Sequence, residues 1–154
     1  MAETLHGTAV LVGANGVLIR GVSGAGKSRL AFALIERGGR LIADDNVHLA
    51  ARSGRIIASA PASISGLIEL RGRGLISLPH ERSGVIRLVV DIVSPEELER
   101  MPEREQLVAT LLGIELPRQA VTGDAPHSVA LVLAALGAFP PPATMGLRSA
   151  PVWG

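Results

Sequence analysis

Residues 16–45 read GVLIRGVSGAGKSRLAFALIERGGRLIADD, and this stretch decides the fold. Its central segment, 21–28, matches the pattern G-x-x-x-x-G-K-[ST] at every fixed position. The apolar run 16–19 predicts a strand before the segment, and residues 30–37 predict a helix after it that stops at a glycine pair. A glycine-rich turn in this position directs backbone N–H groups toward an anion at the positive end of the helix. The stretch therefore predicts a phosphate-binding loop.

Lys27 is the only lysine among the 15 lysine and arginine residues of the chain. An ammonium is a compact point charge that fits between two phosphates, whereas a guanidinium is broad and planar. A lysine in a chain that otherwise uses arginine therefore indicates contact with phosphate. The Ser28 hydroxyl is placed to ligate Mg²⁺. The residues predicted to bind the nucleotide, called the glycine loop below, are Gly21, Val22, Ser23, Gly24, Ala25, Gly26, Lys27 and Ser28.

Two adjacent acids, Asp44 and Asp45, follow the short apolar strand 41–43. If this strand neighbours the strand of the glycine loop, its carboxyl end lies close to the terminal phosphate. One carboxylate is then placed to accept the proton of an attacking hydroxyl, and the other to support the metal or orient the first. The alternative is a solvated turn, because Asp-Asp-Asn is common turn chemistry. The glycine loop favours catalysis.

The rest of the chain predicts a mixed-sheet α/β domain with flanking helices. Two hairpins are expected, 5–12 with 16–19 and 47–51 with 55–58. Other predicted elements are strands at 68–70, 75–77 and 85–93, a helix starting with a capping box at 94–97, and a helix at 128–136. We predict one domain over residues 1–139 and a proline-rich tail over 140–154.

Composition excludes several function classes. The 154 residues include no cysteine, which excludes disulfides, thiol catalysis and cysteine-metal sites. Aromatic residues are 2% of the chain and the arginines are scattered, so nucleic acid is not an expected partner. The longest apolar stretch, 129–139, is too short to span a bilayer, and the N-terminus lacks the pattern of a signal peptide. We expect a cytoplasmic protein without a membrane partner.

Three segments, in this order, resemble the catalytic domain of HPr kinase/phosphorylase, a bacterial family that phosphorylates a serine of the phosphocarrier protein HPr. They are Leu5-His6-Gly7, then GVSGAGKS continuing into LIERGGRLIADDNV, and then IELRGRGLI at 68–76. The resemblance covers roughly residues 5–78 and continues more weakly to 137. It implies a P-loop kinase domain without the additional N-terminal domain of longer members, and a homo-oligomer, a hexamer in that family.

The resemblance implies an ATP- and Mg²⁺-dependent protein serine kinase that also works in reverse, with inorganic phosphate attacking phosphoserine to give pyrophosphate. In the forward direction it makes Asp44 the proton acceptor. It places Lys27 on the β- and γ-phosphates and His6 against the phosphate site. It makes Ser28 and Glu69 ligands of Mg²⁺.

Three further residues complete the predicted site. Arg71 falls in the family signature that serves both directions, Asp45 is predicted to support the metal, and Arg100 sits near a family active-site arginine. Simpler explanations stay open: His6 as an ordinary strand histidine, Glu69 with Arg71 as a solvent-exposed ion pair, and Arg100 as a surface arginine of a helix.

One stretch departs from the family. Residues 121–127 contain no arginine or lysine, where the family has a basic loop that is important for the phosphorolysis direction. The reverse activity is therefore in doubt. Two other functions remain possible for a glycine loop of this kind: a P-loop kinase of a small metabolite, although no basic lid is evident, and a non-catalytic nucleotide sensor.

Overall fold

A computed structural model describes residues 1–61 and 66–137. The strands are β1 (Ala2–His6), β2 (Thr8–Val12), β3 (Asn15–Arg20), β4 (Arg40–Ala43), β5 (Asn46–Arg52), β6 (Arg55–Ser59), β7 (Leu67–Leu70), β8 (Gly74–Ser77), β9 (Ser83–Ile92), β10 (Val108–Leu111) and β11 (Ile114–Val121). The helices are α1 (Lys27–Glu36) and α2 (Ala125–Ala135), with single 3₁₀ turns at Pro95–Glu97 and Arg104–Leu107. The predicted tail, 140–154, lies outside the described residues, so the boundary at 139 stays a prediction.

The large sheet is mixed, as the sequence predicts. Its strand order is β1-β5-β6-β9-β3-β2-β4, and β7 pairs with β8 in a separate hairpin. The long strand β9 is the hub: it runs parallel to β3 and to β11 and antiparallel to β6. Strand β10 joins the sheet only through β11. The sheet therefore branches at β9, and β3, which leads into the glycine loop, lies beside it.

Strand β3 is buried on both faces. Val17 and Ile19 point into one hydrophobic cluster, which contains apolar residues of α1 and α2, because alternate residues of a strand face opposite sides. Leu18 points into a second cluster with apolar residues of β5 and β6. All three side chains are fully buried. The glycine loop thus starts from a strand that packing holds on both sides.

Several predicted boundaries need correction. The predicted strand 5–12 is two strands, separated at Gly7, and the helix predicted at 30–37 starts at Lys27. The capping box at 94–97 forms, with the Glu97 carboxylate accepting hydrogen bonds from the backbone N–H and hydroxyl of Ser94. It opens only one 3₁₀ turn, since Leu98 is already extended. Further along, Pro102 disfavours a helical conformation at Met101.

Strands β10 and β11 are not predicted from the sequence. A turn at Leu112 and Gly113 joins them, both residues having positive φ, 47° and 77°. Leucine is unusual in this region, and Pro117 lies within β11 where the ladder to β10 ends. Because of these two features, the sequence pattern does not indicate a hairpin here.

Gly16 lies where the backbone of β3 passes close to that of β9. A Cβ at this position would lie 2.4 Å from the carbonyl oxygen of Val85. We expect Gly16→Ala to push the two strands apart and to lower the free energy of unfolding by about 2–3 kcal/mol, the upper part of the range for overpacked sites. Urea unfolding measures this loss.

The control is Gly113→Ala, because this glycine has open space around it and only a positive φ of 77° to disfavour alanine. Its expected cost is about 1 kcal/mol, from backbone conformation alone. If Gly16→Ala costs no more than Gly113→Ala, the close approach of the two strands is not what requires glycine at position 16.

Candidate phosphate and metal site

The glycine loop connects the end of β3 to the start of α1, as the sequence predicts. Gly24 and Gly26 have φ of 82° and 108°, a region that favours glycine. The Ala25 N–H donates to the Val22 carbonyl at 3.0 Å and closes the turn. Within the described part of the chain, the N–H groups of Gly24, Gly26 and Lys27 have no backbone carbonyl partner. Together with the N-terminus of α1 they form a suitable site for an anion.

The Lys27 side chain folds back over this loop. Its ammonium donates to the carbonyls of Gly21 at 2.8 Å and Val22 at 3.0 Å. The residue is only 8% exposed. An ammonium has three N–H donors, so one remains for an anion held at the loop. The carbonyl contacts therefore hold the ammonium at the loop and leave one of its N–H donors for an anion.

Asp44 is held by three different elements. Its Oδ1 accepts hydrogen bonds from the hydroxyls of Ser28 at 2.9 Å and Thr8 at 2.8 Å. Its Oδ2 accepts the backbone N–H of Glu69 at 3.2 Å. The carboxylate thus joins α1, β2 and β7. Thr8 is not among the residues predicted from the sequence; the available signal is a hydroxyl at a strand position otherwise occupied by apolar residues.

Asp45 has different surroundings from Asp44. It has a φ of 73°, which turns the chain from β4 into β5 and which aspartate tolerates better than most residues. Its Oδ1 lies 3.1 Å from Nδ1 of His6, and the two side chains are 67% and 53% exposed. The two neighbouring acids therefore separate into one fixed by internal hydrogen bonds and one open to solvent.

A cavity of about 590 Å³ brings most of the predicted site residues together. The predicted residues in its wall are His6, Ser23, Gly24, Gly26, Lys27, Ser28, Asp44, Asp45, Glu69 and Arg71. Gly21, Val22 and Ala25 belong to the glycine loop but do not line the cavity. Thr8, Arg29 and Leu75 line it without having been predicted.

Arg100 does not line the cavity; it lies in the segment between the two 3₁₀ turns, after β9. Its active-site role, which the family resemblance implies, stays a prediction. The simpler explanation, an arginine on the surface of a helix that starts at 94–97, does not apply, because that helix is a single turn.

The oxygen donors in the cavity suit magnesium. Ser28 supplies a hydroxyl and Glu69 a carboxylate, and Asp44 accepts the hydroxyl proton of Ser28. Within residues 1–61 and 66–137, no group of three or more histidine, cysteine or acidic side chains is arranged to hold a metal. Mg²⁺ is commonly bound by one or two carboxylates together with phosphate oxygens and water, rather than by a complete protein cage. The residues therefore fit Mg²⁺ bound together with a phosphate.

An ion-pair network supports the strand that precedes the loop. Arg20, the last residue of β3, donates to both oxygens of Asp91 at 2.8 and 2.9 Å, and Arg118 donates to Asp91 at 2.6 Å. Burial by itself would raise the pKa of Asp91, but the hydrogen bonds from the two arginines outweigh it and the pKa is lowered. The hydrogen bond with Asp91 likewise raises the pKa of Arg20. The network ties β3 to β9 and β11 one residue before the loop begins.

Comparisons with known proteins agree with this architecture. Residues 1–138 match the sequence profile of the HPr Serine kinase C-terminal domain. The chain belongs to this family. An HPr kinase/phosphorylase of Geobacillus thermodenitrificans is 37% identical over 142 residues, covering 84% of this chain and 45% of the relative. An HPr kinase/phosphorylase of Clostridium tetani is 49% identical over 75 residues, covering 49% of this chain and 25% of the relative.

A solved structure extends the similarity of this HPr serine kinase C-terminal domain to three dimensions. The HPr(Ser) kinase/phosphatase from Coxiella burnetii matches with a TM-score of 0.73 and 30% identity, covering 86% of this chain and 95% of that one. The family resemblance and the mixed α/β fold predicted from the sequence are thus confirmed. The chain spans less than half the length of the curated relatives described above.

No helix within residues 1–61 and 66–137 is both long enough and apolar enough to cross a membrane.

Proposed function

We propose that this domain transfers the γ-phosphoryl group of ATP to a serine hydroxyl of an HPr-like phosphocarrier protein. The observation that carries the proposal is the shared cavity: the lone lysine, the Ser28 hydroxyl and both neighbouring aspartates line it next to amides without backbone partners. In the reaction the serine oxygen bonds to the γ-phosphorus, the bond from that phosphorus to the β–γ bridging oxygen breaks, and ADP leaves. The serine proton passes to a carboxylate.

Positioning and charge neutralisation supply most of the catalysis in phosphoryl transfer. The remaining Lys27 donor and the glycine-loop amides are placed to bind the β- and γ-phosphates. Ser28 and Glu69 would hold Mg²⁺, with Asp44 behind Ser28. When bound, the metal neutralises charge on the phosphates. Arg71, on the turn between β7 and β8, lines the same cavity and adds a cation.

The two remaining roles are to accept the serine proton and to support the metal. We propose that the two aspartates take these roles in the opposite way to the one expected from the sequence. Asp44 already accepts three hydrogen bonds, one of them from Ser28. Asp45 is 67% exposed, and among the described residues its carboxylate forms an ion pair with His6 alone. A general base needs a free oxygen within reach of the hydroxyl that it deprotonates. We therefore propose that Asp45, oriented by His6, accepts the proton. Asp44 then supports the metal ligand Ser28.

The proposal is limited to the forward direction. The stretch 121–127, which carries no arginine or lysine, lies against the glycine loop: a Cβ at Gly123 would be 3.3 Å from the Ala25 carbonyl oxygen. No arginine or lysine from this stretch is available to bind an attacking inorganic phosphate. The predicted hexamer stays a prediction.

A transfer assay tests the proposed function. ATP labelled at the γ-phosphate is incubated with Mg²⁺, the domain and an HPr-like protein, and we expect label on serine of that protein. A substrate variant with the target serine replaced by alanine is the control and should stay unlabelled. ATP binding without transfer to any protein would favour the nucleotide sensor, and transfer only to small molecules would favour the metabolite kinase.

A further inference from the structure

The structure points to a role for Thr8, a residue outside the glycine loop and outside the paired acids. We infer that Thr8 is a positioning residue whose hydroxyl holds Asp44 against Ser28, so that it sets how strongly Mg²⁺ promotes nucleotide binding. The inference rests on the proposed function, because it concerns the metal that would accompany the nucleotide.

Thr8 is a buried residue at the wall of the cavity. Thr8 is the first residue of β2 and pairs with Ile19 of β3, and its exposed fraction is zero. A buried hydroxyl is costly unless it makes a hydrogen bond. The Thr8 Oγ1 donates to Asp44 Oδ1 at 2.8 Å. The sheet therefore helps to position this carboxylate oxygen through the Thr8 hydroxyl.

The same oxygen, Asp44 Oδ1, also orients the Ser28 hydroxyl, which is the proposed metal ligand. Ser28 donates its hydroxyl proton to Asp44 Oδ1 at 2.9 Å. A serine hydroxyl has one proton and two lone pairs, so this bond turns the lone pairs of Ser28 away from Asp44 and leaves them for a cation. Partners behind a metal ligand typically change metal affinity 10- to 100-fold when they are removed. Thr8 does not bond to Ser28 itself; it holds the Asp44 oxygen that orients Ser28.

The competing explanation is that Thr8 only stabilises the start of β2. Such a role would change the unfolding midpoint but would not change the effect of Mg²⁺ on nucleotide binding in folded protein. The informative quantity is therefore a ratio: the Kd for a fluorescent ATP analogue in EDTA divided by its Kd in saturating Mg²⁺. This ratio does not depend on phosphoryl transfer.

The experiment compares the native protein with Thr8→Val and Thr8→Ser. Valine keeps the shape of threonine and removes the donor, so we expect the ratio to fall about tenfold, with the Kd in EDTA unchanged. Serine keeps the donor and should preserve the ratio. The inference is overturned if Thr8→Val keeps the native ratio, or if Thr8→Ser lowers it as much as valine does.

Circular dichroism decides whether each variant is folded. If Thr8→Val does not fold, the comparison moves to Thr8→Ala and Thr8→Ser, which differ only in the hydroxyl, and equal ratios for these two overturn the inference. If the native protein binds no nucleotide even with Mg²⁺, the proposed function fails. If the native protein binds nucleotide and Thr8→Val keeps the native ratio, only the inference about Thr8 fails.

Discussion

Asp45→Asn is expected to lower kcat for serine phosphorylation by about 10²- to 10⁴-fold, the usual contribution of a general base. The amide cannot take the proton of the serine hydroxyl, although it has the size of the carboxylate. Asparagine also tolerates the positive φ of 73° at this position, so the turn between β4 and β5 should be kept. Because Asp45 contacts His6 and not Ser28, the affinity for the nucleotide with Mg²⁺ should stay close to native.

Asp44→Asn is the matched comparison. An amide at this position can satisfy only part of the hydrogen bonds that the carboxylate accepts from Ser28, Thr8 and Glu69. We expect weaker Mg²⁺-dependent nucleotide binding and a smaller fall in kcat at saturating Mg²⁺. Single-turnover transfer and nucleotide titration separate the two effects. If Asp44→Asn eliminates transfer at native affinity while Asp45→Asn remains active, Asp44 is the proton acceptor, as expected from the sequence.

Asp91→Ala is expected to produce the largest loss of stability. Removing one partner of a buried ion pair leaves uncompensated charge and costs about 3–5 kcal/mol. Here two arginines would lose their partner, but Arg20 and Arg118 keep exposed fractions of 33% and 22%. This exposure lets water replace part of the interaction. We therefore expect Asp91→Ala to lower the free energy of unfolding by about 3 kcal/mol, the lower end of that range, as measured by urea unfolding at pH 7.

An exposed ion pair provides the control. Arg40 and Glu81 form a salt bridge with side chains 59% and 39% exposed, and Glu81→Ala should cost less than about 1 kcal/mol. Equal losses for Asp91→Ala and Glu81→Ala would show that the network at the end of β3 contributes no more than a surface pair.

The Asp91 network also has a defined pH dependence, because the pKa of Asp91 in the folded protein lies below its ordinary value of 3.8. The unfolded chain therefore binds a proton at Asp91 more readily than the folded protein does. The stabilisation is complete above about pH 3.8 and is lost as the pH falls through the lower folded pKa. The difference in unfolding free energy between the native protein and Asp91→Ala should accordingly shrink at acidic pH.

Features that depend on neighbouring residues were predictable. The glycines that need positive φ, the lysine that follows them and the apolar strand before them specify the glycine loop within eight consecutive positions. The hairpin of β5 and β6 follows from Ser53 and Gly54, both of which have positive φ. The family itself was recognisable from three short segments. Each of these signals is carried by short runs of neighbouring residues, which need no long-range contact to be read.

Only the tertiary structure decided which groups each of the two acids contacts. Asp44 and Asp45 are adjacent and identical in sequence, but Thr8 and Ser28 approach one of them, from 36 and 16 positions away, and His6 approaches the other. The network of Arg20 with Asp91 joins residues 71 positions apart. Strand order and register set such contacts, and both follow from packing of the whole core. The amino-acid sequence therefore determined which groups are available for phosphate chemistry, and the fold determined which group each one meets.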